Sequence, residues 1–485
     1  MPRLSLLDDV RIGAQSLGAS VSDALIPSLR IGVTGLSRAG KTVFLTALLH
    51  QLLHEGRLPA LKAHRSGRLI EARLSPQPDD DVARFALEEH LHKLIHERAW
   101  PQSTRQISEL RLTLSFEPES RLARTLGRTR LHLDLVDYPG EWLLDLPLLD
   151  MSFEAFSKDA LAKAQAPERA PMAEPFLKAL ADRDAGAPLS EEDAAELAGL
   201  YMDYLRACKE GHRALSMLPP GRFLMPGDLE GSPALTFAPM LWESDSRPAN
   251  GSLYQAMERR YEAYKRVVVK PFFLDHFARL DRQIVLVDVL SAINAGSAAL
   301  HDLSDALTAI LSCFKAGRNT LLSSLFSPRI DKIAFVATKA DHLHHSQHDR
   351  LEDILEELVV DAHLRAKFSG AKVETLAVSS VRATREASAR SGSTGLKAVA
   401  GVPIEGETIN GETFDGEREV AIFPGDLPTE PGALLTQHAP ANTLRFVRFR
   451  PPKRNDGSEK EERQPTLPHI RLDRLLEFLL GDKLA

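Results

Sequence analysis

The chain has 485 residues, 43% of them hydrophobic, and a formal net charge of −7. That length exceeds one typical core and predicts two or three domains, while the mild charge carries no nucleic-acid footprint, so no nucleic-acid partner is expected. Two cysteines, Cys208 and Cys313, exclude a disulfide framework and a cysteine-based zinc site and suit a reducing compartment.

Residues 1–27 read as an N-terminal helical extension, and residues 1–10, with Asp8 and Asp9, lack a signal-peptide core. A first strand over 29–34 runs into Gly35-Leu36-Ser37-Arg38-Ala39-Gly40-Lys41-Thr42, which fits G-x-x-x-x-G-K-[ST], and a helix follows from Val43. Strand, glycine loop and helix in that order are the context of a phosphate-binding loop. The glycines let the amides of Ser37, Arg38, Ala39, Gly40, Lys41, Thr42 and Val43 turn inward, where the helix dipole favours an anion. Lys41 then reaches the β- and γ-phosphates and the Thr42 hydroxyl ligates Mg²⁺. Arg38 has two readings: a guanidinium that supplies charge to the phosphates in cis, or an outward, solvated side chain.

A second strand, 110–116, alternates Leu110, Leu112, Leu114 and Phe116 with polar residues and reads as an edge strand with one wet face. A third, 130–136, leads to Asp137-Tyr138-Pro139-Gly140. After a phosphate-binding loop, this Asp holds Mg²⁺ through a water and the Gly amide meets the γ-phosphate; an ordinary turn is the plain alternative. About 140 residues, punctuated by prolines, then precede the fourth strand; no ordinary connection is that long, so 143–280 reads as a helical insertion with helices near 190–210 and 252–269.

The fourth, fifth and sixth strands, 284–289, 333–337 and 373–378, are nearly continuous apolar runs, as in a parallel sheet covered on both faces. The class is α/β, doubly wound. Thr338-Lys339-Ala340-Asp341 follows the fifth strand and resembles the [NT]-K-x-D base-recognition element of GTPases. There a carboxylate accepts hydrogen bonds from guanine N1 and N2, and ATP would leave it unpaired. Ser380-Val381-Arg382 after the sixth strand parallels a base-contacting Ser-Ala-Lys loop; a serine-rich turn is the other reading. His342, His344, His345 and His348 look like a metal cluster, but without an accompanying carboxylate–His signature they read as exposed first turns of a helix. Residues 386–465 form a β-rich insertion with short runs at 420–423 and 444–449, and 466–485 hold an amphipathic helix packing on the core.

The order of these motifs resembles that of Ras-like P-loop GTPases, and the combination resembles the bacterial YcjX-like family over nearly the whole chain. The carrying residues are Gly35–Thr42, Trp100–Arg105, Asp137-Tyr138-Pro139-Gly140-Glu141-Trp142, Thr338–Asp341 and 380–384. The resemblance implies a core of 28–142 and 281–385 that binds GTP and GDP with Mg²⁺ and hydrolyses GTP slowly, in a cytoplasmic stress response. It places the first switch at Trp100–Arg105, where Thr104, favoured over Ser103, completes the Mg²⁺ ligands. Ras-type proteins put a water-positioning glutamine where this chain has Glu141, so Glu141, Lys41 and Arg38 are the candidate hydrolytic residues. An effector protein would engage the helical insertion. A nucleotide-gated scaffold with negligible turnover and an ATPase or kinase remain alternatives. Peripheral membrane contact is open, although no apolar run approaches the roughly 18 residues of a span.

Overall fold

The computed structural model describes residues 26–36, 38–54, 56–102, 106–120, 124, 129–210, 215–229, 231–242, 248–312, 330–360, 371–391, 394–409, 411–435, 444–453 and 467–485. Ser37, Ser103, Thr104 and Arg105 lie outside these residues, as do residues 1–25 of the expected extension over 1–27.

The molecule is a mixed α/β structure around a mainly parallel sheet. Among the described residues, its strands are β1 (Ser28–Gly35), β2 (Leu69–Ser75), β3 (Ala83–Arg84), β4 (Ser108–Phe116), β5 (Arg130–Asp137), β6 (Arg282–Val287), β7 (Lys332–Ala337) and β8 (Lys372–Ala377). The order is β2-β4-β5-β1-β6-β7-β8, with the short β3 beside β4. From β5 through β8 the neighbours are parallel, whereas β4 runs antiparallel to both β5 and β2.

Two of these strands were not predicted, and β4 is not the edge. β2 covers it, and the polar side chains expected to be wet find partners: Arg111 forks onto Asp134 at 2.6 and 2.9 Å, and Thr113 meets Ser75 at 2.6 Å. The fourth strand also ends earlier than predicted. Asp288 leaves the sheet and accepts a hydrogen bond from the Ser291 amide at 3.2 Å, capping a short helix, Val289–Ala295.

The helices that matter for the site are α1 (Lys41–Leu53), α2 (Phe153–Ala164), α3 (Ala170–Ala181), α4 (Glu191–Glu210), α5 (Leu253–Tyr264), α6 (Ser297–Ser312), α7 (His348–Leu358) and α8 (Leu472–Leu480). Along β1, Leu29, Ile31 and Val33 alternate onto one sheet face, where α1 and the leucines of α8 bury them. On the other face, Val136, Val285 and Phe335 pack with α6, α7 and the helices between β5 and β6. Buried Arg282 at the sheet's lower edge pairs with Asp331 at 3.0 Å and with Asp482, just past α8, at 2.6 Å.

Beyond β8, strands Arg385–Ser391, Thr394–Gly401 and Val420–Ile422 form a small antiparallel sheet. The run 444–449, expected as a strand, is irregular: it contributes one bridge, Pro403 to Phe449, and buries Leu444, Val447 and Phe449. Among the described residues no helix is long and apolar enough to cross a membrane.

Candidate nucleotide site

Parallel strands deliver their carboxyl ends to one edge of the sheet, the place where such folds bind ligands. The register puts Gly35 beside Leu286, Val33 beside Asp137, and Val287, Ala337 and Ala377 in one row. The phosphate-loop motif, Asp137–Gly140, Thr338–Asp341 and Ser380–Arg382 therefore all follow the sheet on the same side.

At the phosphate end, the chain turns after Gly35 with the Ala39 amide donating to the Leu36 carbonyl at 3.1 Å. Arg38 and Gly40 are left-handed, at φ 64° and 77°. Helix α1 starts at Lys41 with no side chain capping its amides, so its positive end faces the loop. Arg38 is exposed, Ala39 and Thr42 are buried, and Val43 packs with Ala47, Leu94 and Val381. Lys41 Nζ pairs with Asp137 Oδ1 at 2.7 Å, and the Asp137 side chain is only 1% exposed. Gly140 lies against this loop so tightly that a Cβ there would sit 2.5 Å from the Gly35 carbonyl oxygen.

The residues after Gly140 wind into a 3-10 segment, Gly140–Asp150, gripped from outside the sheet. Lys209 of α4 donates to Glu141 Oε1 at 2.7 Å, and both side chains are largely buried. The Arg222 guanidinium stacks 3.3 Å over the Trp142 ring, whose Nε1 donates to the Met225 carbonyl. Asp145 accepts from the Gly221 amide at 2.6 Å and the Tyr264 hydroxyl at 2.6 Å. Burial pushes its carboxyl up to about 6 despite those donors. A Cβ on Gly221 would stand 1.9 Å from the Glu141 carbonyl oxygen, so only glycine allows this approach.

At the other end, Asp341 is 4% exposed. Its Oδ1 accepts from the Ser379 hydroxyl at 2.8 Å and its Oδ2 from the Ala383 amide at 2.9 Å. The hydroxyl brought to Asp341 is thus Ser379's, one residue before the expected Ser380, which is half-buried. Val381 is buried, and Arg382 bends back so that its Nε donates to the Thr384 carbonyl at 3.0 Å. Lys339, left-handed at φ 63°, bonds Asp288. Burial works to raise Asp288, yet the Lys339 ammonium and the Ser291 hydrogen bonds outweigh it and hold the carboxyl below its ordinary value.

The histidines do not form one exposed helix turn. His348 is buried, its Nε2 facing the Leu343 carbonyl at 3.3 Å, because Leu343 folds back over the start of α7. Burial lowers the pKa of His342, whose ring meets Phe449 edge-on at 5.6 Å. Phe449 in turn accepts a hydrogen bond at its carbonyl from Trp100 Nε1 at 2.7 Å.

A family model described as the YcjX-like family, DUF463, matches residues 29–484. The chain belongs to that family. A protein named Ras-like GTPase YcjX from Escherichia coli (strain K12) is 38% identical over 482 residues, covering 96% of this chain and 98% of that protein. Another of the same name, from Shewanella oneidensis, is 35% identical over 478 residues, 94% of each chain.

Four residues of this YcjX-like site escaped sequence reasoning: Ser379, Asp288, Lys209 and Gly221. Ser379 immediately precedes the Ser380-Val381-Arg382 motif and was not singled out. Asp288 ends an apolar strand at the same edge as Asp137, and that shared position was a usable signal. Lys209 and Gly221 carried none, because their partners lie about 70–80 residues away in the chain.

Proposed function

We propose that this chain is a Ras-like, doubly wound P-loop GTPase: a switch that binds GTP·Mg²⁺ and GDP and hydrolyses GTP slowly. The core is 28–142 and 281–385, with the helix of 466–485 on it, carrying the helical insertion 143–280 and the β-rich insertion 386–465. The observation that carries the reading is the convergence at one sheet edge of the Gly35–Thr42 loop, Asp137 and the Asp341–Ser379 pair. The names of the two relatives support it.

In this reading Lys41 and the loop amides hold the β- and γ-phosphates. Thr42 and Thr104 offer hydroxyl oxygens to Mg²⁺ and Asp137 reaches it through water, an all-oxygen donor set that suits a hard cation. When bound, the metal neutralises charge building on the phosphate oxygens. Asp341 accepts from guanine while Ser379 and Ala383 keep its carboxylate in position, and the Lys339 stem lies along the base. Ser380, Val381 and Arg382 border it. Arg38, at the rim of the loop, supplies a further positive charge to the phosphates. Turnover is slow, roughly 10⁻⁴–10⁻² s⁻¹ on the scale of unassisted relatives of this fold, because Glu141 replaces glutamine and is held by Lys209. The hold of the helical insertion on Gly140–Asp150 makes it the element that moves with the γ-phosphate and the surface offered to an effector, in the cytoplasm.

Calorimetry tests the base. GTP and GDP should bind at least about 100-fold tighter than ATP, and Asp341→Asn should weaken guanine nucleotides and favour xanthine nucleotides. Equal ATP and GTP affinities in the wild type sink the reading. One observation favours a second reading, a nucleotide-gated scaffold: the Glu141 carboxylate is engaged by Lys209 rather than free to orient water. Single-turnover phosphate release separates the two.

A further inference from the structure

The loop that follows Asp341 does not end its chemistry with the base motif. Beyond His342 and Leu343, His344 and His345 stand side by side with ring centroids 4.3 Å apart. Across from them is Glu386, the second residue of the strand Arg385–Ser391, far away in sequence but only a few residues past Ser379 and Ala383. His345 Nδ1 lies 2.9 Å from Glu386 Oε1 and His344 Nε2 lies 3.8 Å from Oε2. One donor atom from each residue falls within 4.8 Å of the other two.

We infer that His344, His345 and Glu386 form a binding site for a borderline divalent metal of the zinc, nickel or cobalt class. Two imidazole nitrogens and one carboxylate oxygen match the ligand preference of these ions, and three protein ligands leave further positions to water. Magnesium, which asks for oxygen ligands, does not suit the set. His344 Nδ1 accepts from the Ser346 amide at 3.3 Å and lies 3.0 Å from the Ser346 hydroxyl. An ion at Nε2, the nitrogen nearer Glu386, therefore displaces the ring proton to Nδ1, which turns to donate to that hydroxyl. His345 and Glu386 are exposed, with side chains 64% and 39% accessible, so an ion enters from solvent and draws the three groups together by side-chain rotation. Two cations border the site. Lys397 Nζ is occupied by Ser346 Oγ at 3.2 Å, and Arg382 stands 4.0 Å from Glu386, a long and solvent-screened contact that a doubly charged ion displaces.

The site joins two loops that are otherwise tied at Asp341: the stretch carrying Thr338–Asp341, and the stretch carrying Ser379–Thr384. A metal bridging them restricts their separation and so favours the arrangement in which Ser379 and Ala383 hold the Asp341 carboxylate. Resting on the guanine reading above, this makes metal and guanine nucleotide bind cooperatively, each raising the affinity of the other by the same factor.

The full chain, free of nucleotide, is titrated with ZnCl₂ and with CoCl₂, the latter followed by its visible absorption. Saturable one-to-one binding is expected, with His345→Ala and Glu386→Gln each weakening it at least about 10-fold, since even outer-layer partners cost 10–100-fold. Thermal unfolding without metal should be unchanged in both variants, because both side chains are exposed. Absence of saturable binding, or equal affinity in wild type and both variants, overturns the site. GDP affinity is then measured with and without zinc. A several-fold increase that vanishes in Glu386→Gln supports the coupling, and an unchanged affinity in a zinc-loaded protein overturns it. Failure to bind GDP at all, beside a normal zinc titration, instead removes the guanine reading and leaves the metal site standing.

Discussion

The two ends of the candidate site are built in opposite ways. At the base end, Asp341 is held by Ser379 and Ala383, all at the carboxyl ends of the neighbouring strands β7 and β8. At the phosphate end, the segment after Gly140 takes its shape from Lys209, Gly221, Arg222 and Tyr264, which lie outside the sheet altogether. A pocket fixed by its own strands is suited to constant recognition. A segment whose hydrogen bonds run to another layer of the molecule moves only if that layer moves with it.

The strongest way to break this contrast is at Lys41, whose ammonium is ion-paired with Asp137. Lys41→Ala should cut GTP affinity by about 100-fold or more, because the fixed cation that would face the phosphates is lost. Wild-type affinity by calorimetry would remove the phosphate assignment while leaving the base end untouched. Gly221→Ala comes next. Its methyl would overlap the Glu141 carbonyl, with backbone on both sides, and should cost about 1–3 kcal/mol in urea unfolding. An unchanged midpoint would mean that the grip on Gly140–Asp150 is loose.

Lys209→Met sharpens the comparison further. Freed from its ion pair, Glu141 should alter single-turnover GTP hydrolysis several-fold with little change in GTP/ATP preference, since the base end is built separately. Parallel changes in rate and base preference would show that the two ends are not independent.

The smallest effect concerns Glu109 of β4, whose side chain lies wholly buried two strands from β1 and beside Arg30 at 3.1 Å. Burial pushes its carboxyl up to about 7, against the opposing pull of Arg30. With the folded pKa above the unfolded one, its contribution to stability is complete below about pH 4.5 and is lost as pH rises through 7. Glu109→Gln should remove that slope, so the stability gap between variant and wild type shifts by on the order of 1 kcal/mol between pH 5 and 8. A constant gap across that range would show that Arg30 keeps Glu109 ionised throughout.

What the sequence made legible follows the same division. The stretch β1–loop–α1, Asp137 and Thr338–Asp341 are local patterns, in which residues a few positions apart carry out one task. Ser379 was passed over beside Ser380 because β8 ends within the apolar stretch Leu376-Ala377-Val378, where periodicity marks no boundary. β2 escaped notice because it mixes Glu71 and Arg73 with Ile70 and Leu74, and those two apolar side chains are 59% and 37% exposed. That pattern suits an outer strand and announces no buried face. The partners of Glu141, Asp145 and Glu386 depend on chain crossings of tens of residues, which no local spacing encodes.

One feature of the fold bears on how the molecule is made. The sheet face that carries Leu29, Ile31 and Val33 is covered partly by Leu475, Leu476, Leu479 and Leu480 of α8, and the guanidinium of buried Arg282 is met by Asp482. On the ribosome these residues emerge after all eight strands. Until they do, the part of this face that α1 does not cover stays open to water and to other nascent chains, and Arg282 has Asp331 but not its second counter-charge. Completion of this face is therefore a late event of synthesis, and stalling or truncation upstream of residue 472 leaves a sheet that is assembled but only partly covered on one face, the form of the protein most exposed to aggregation and chaperone capture.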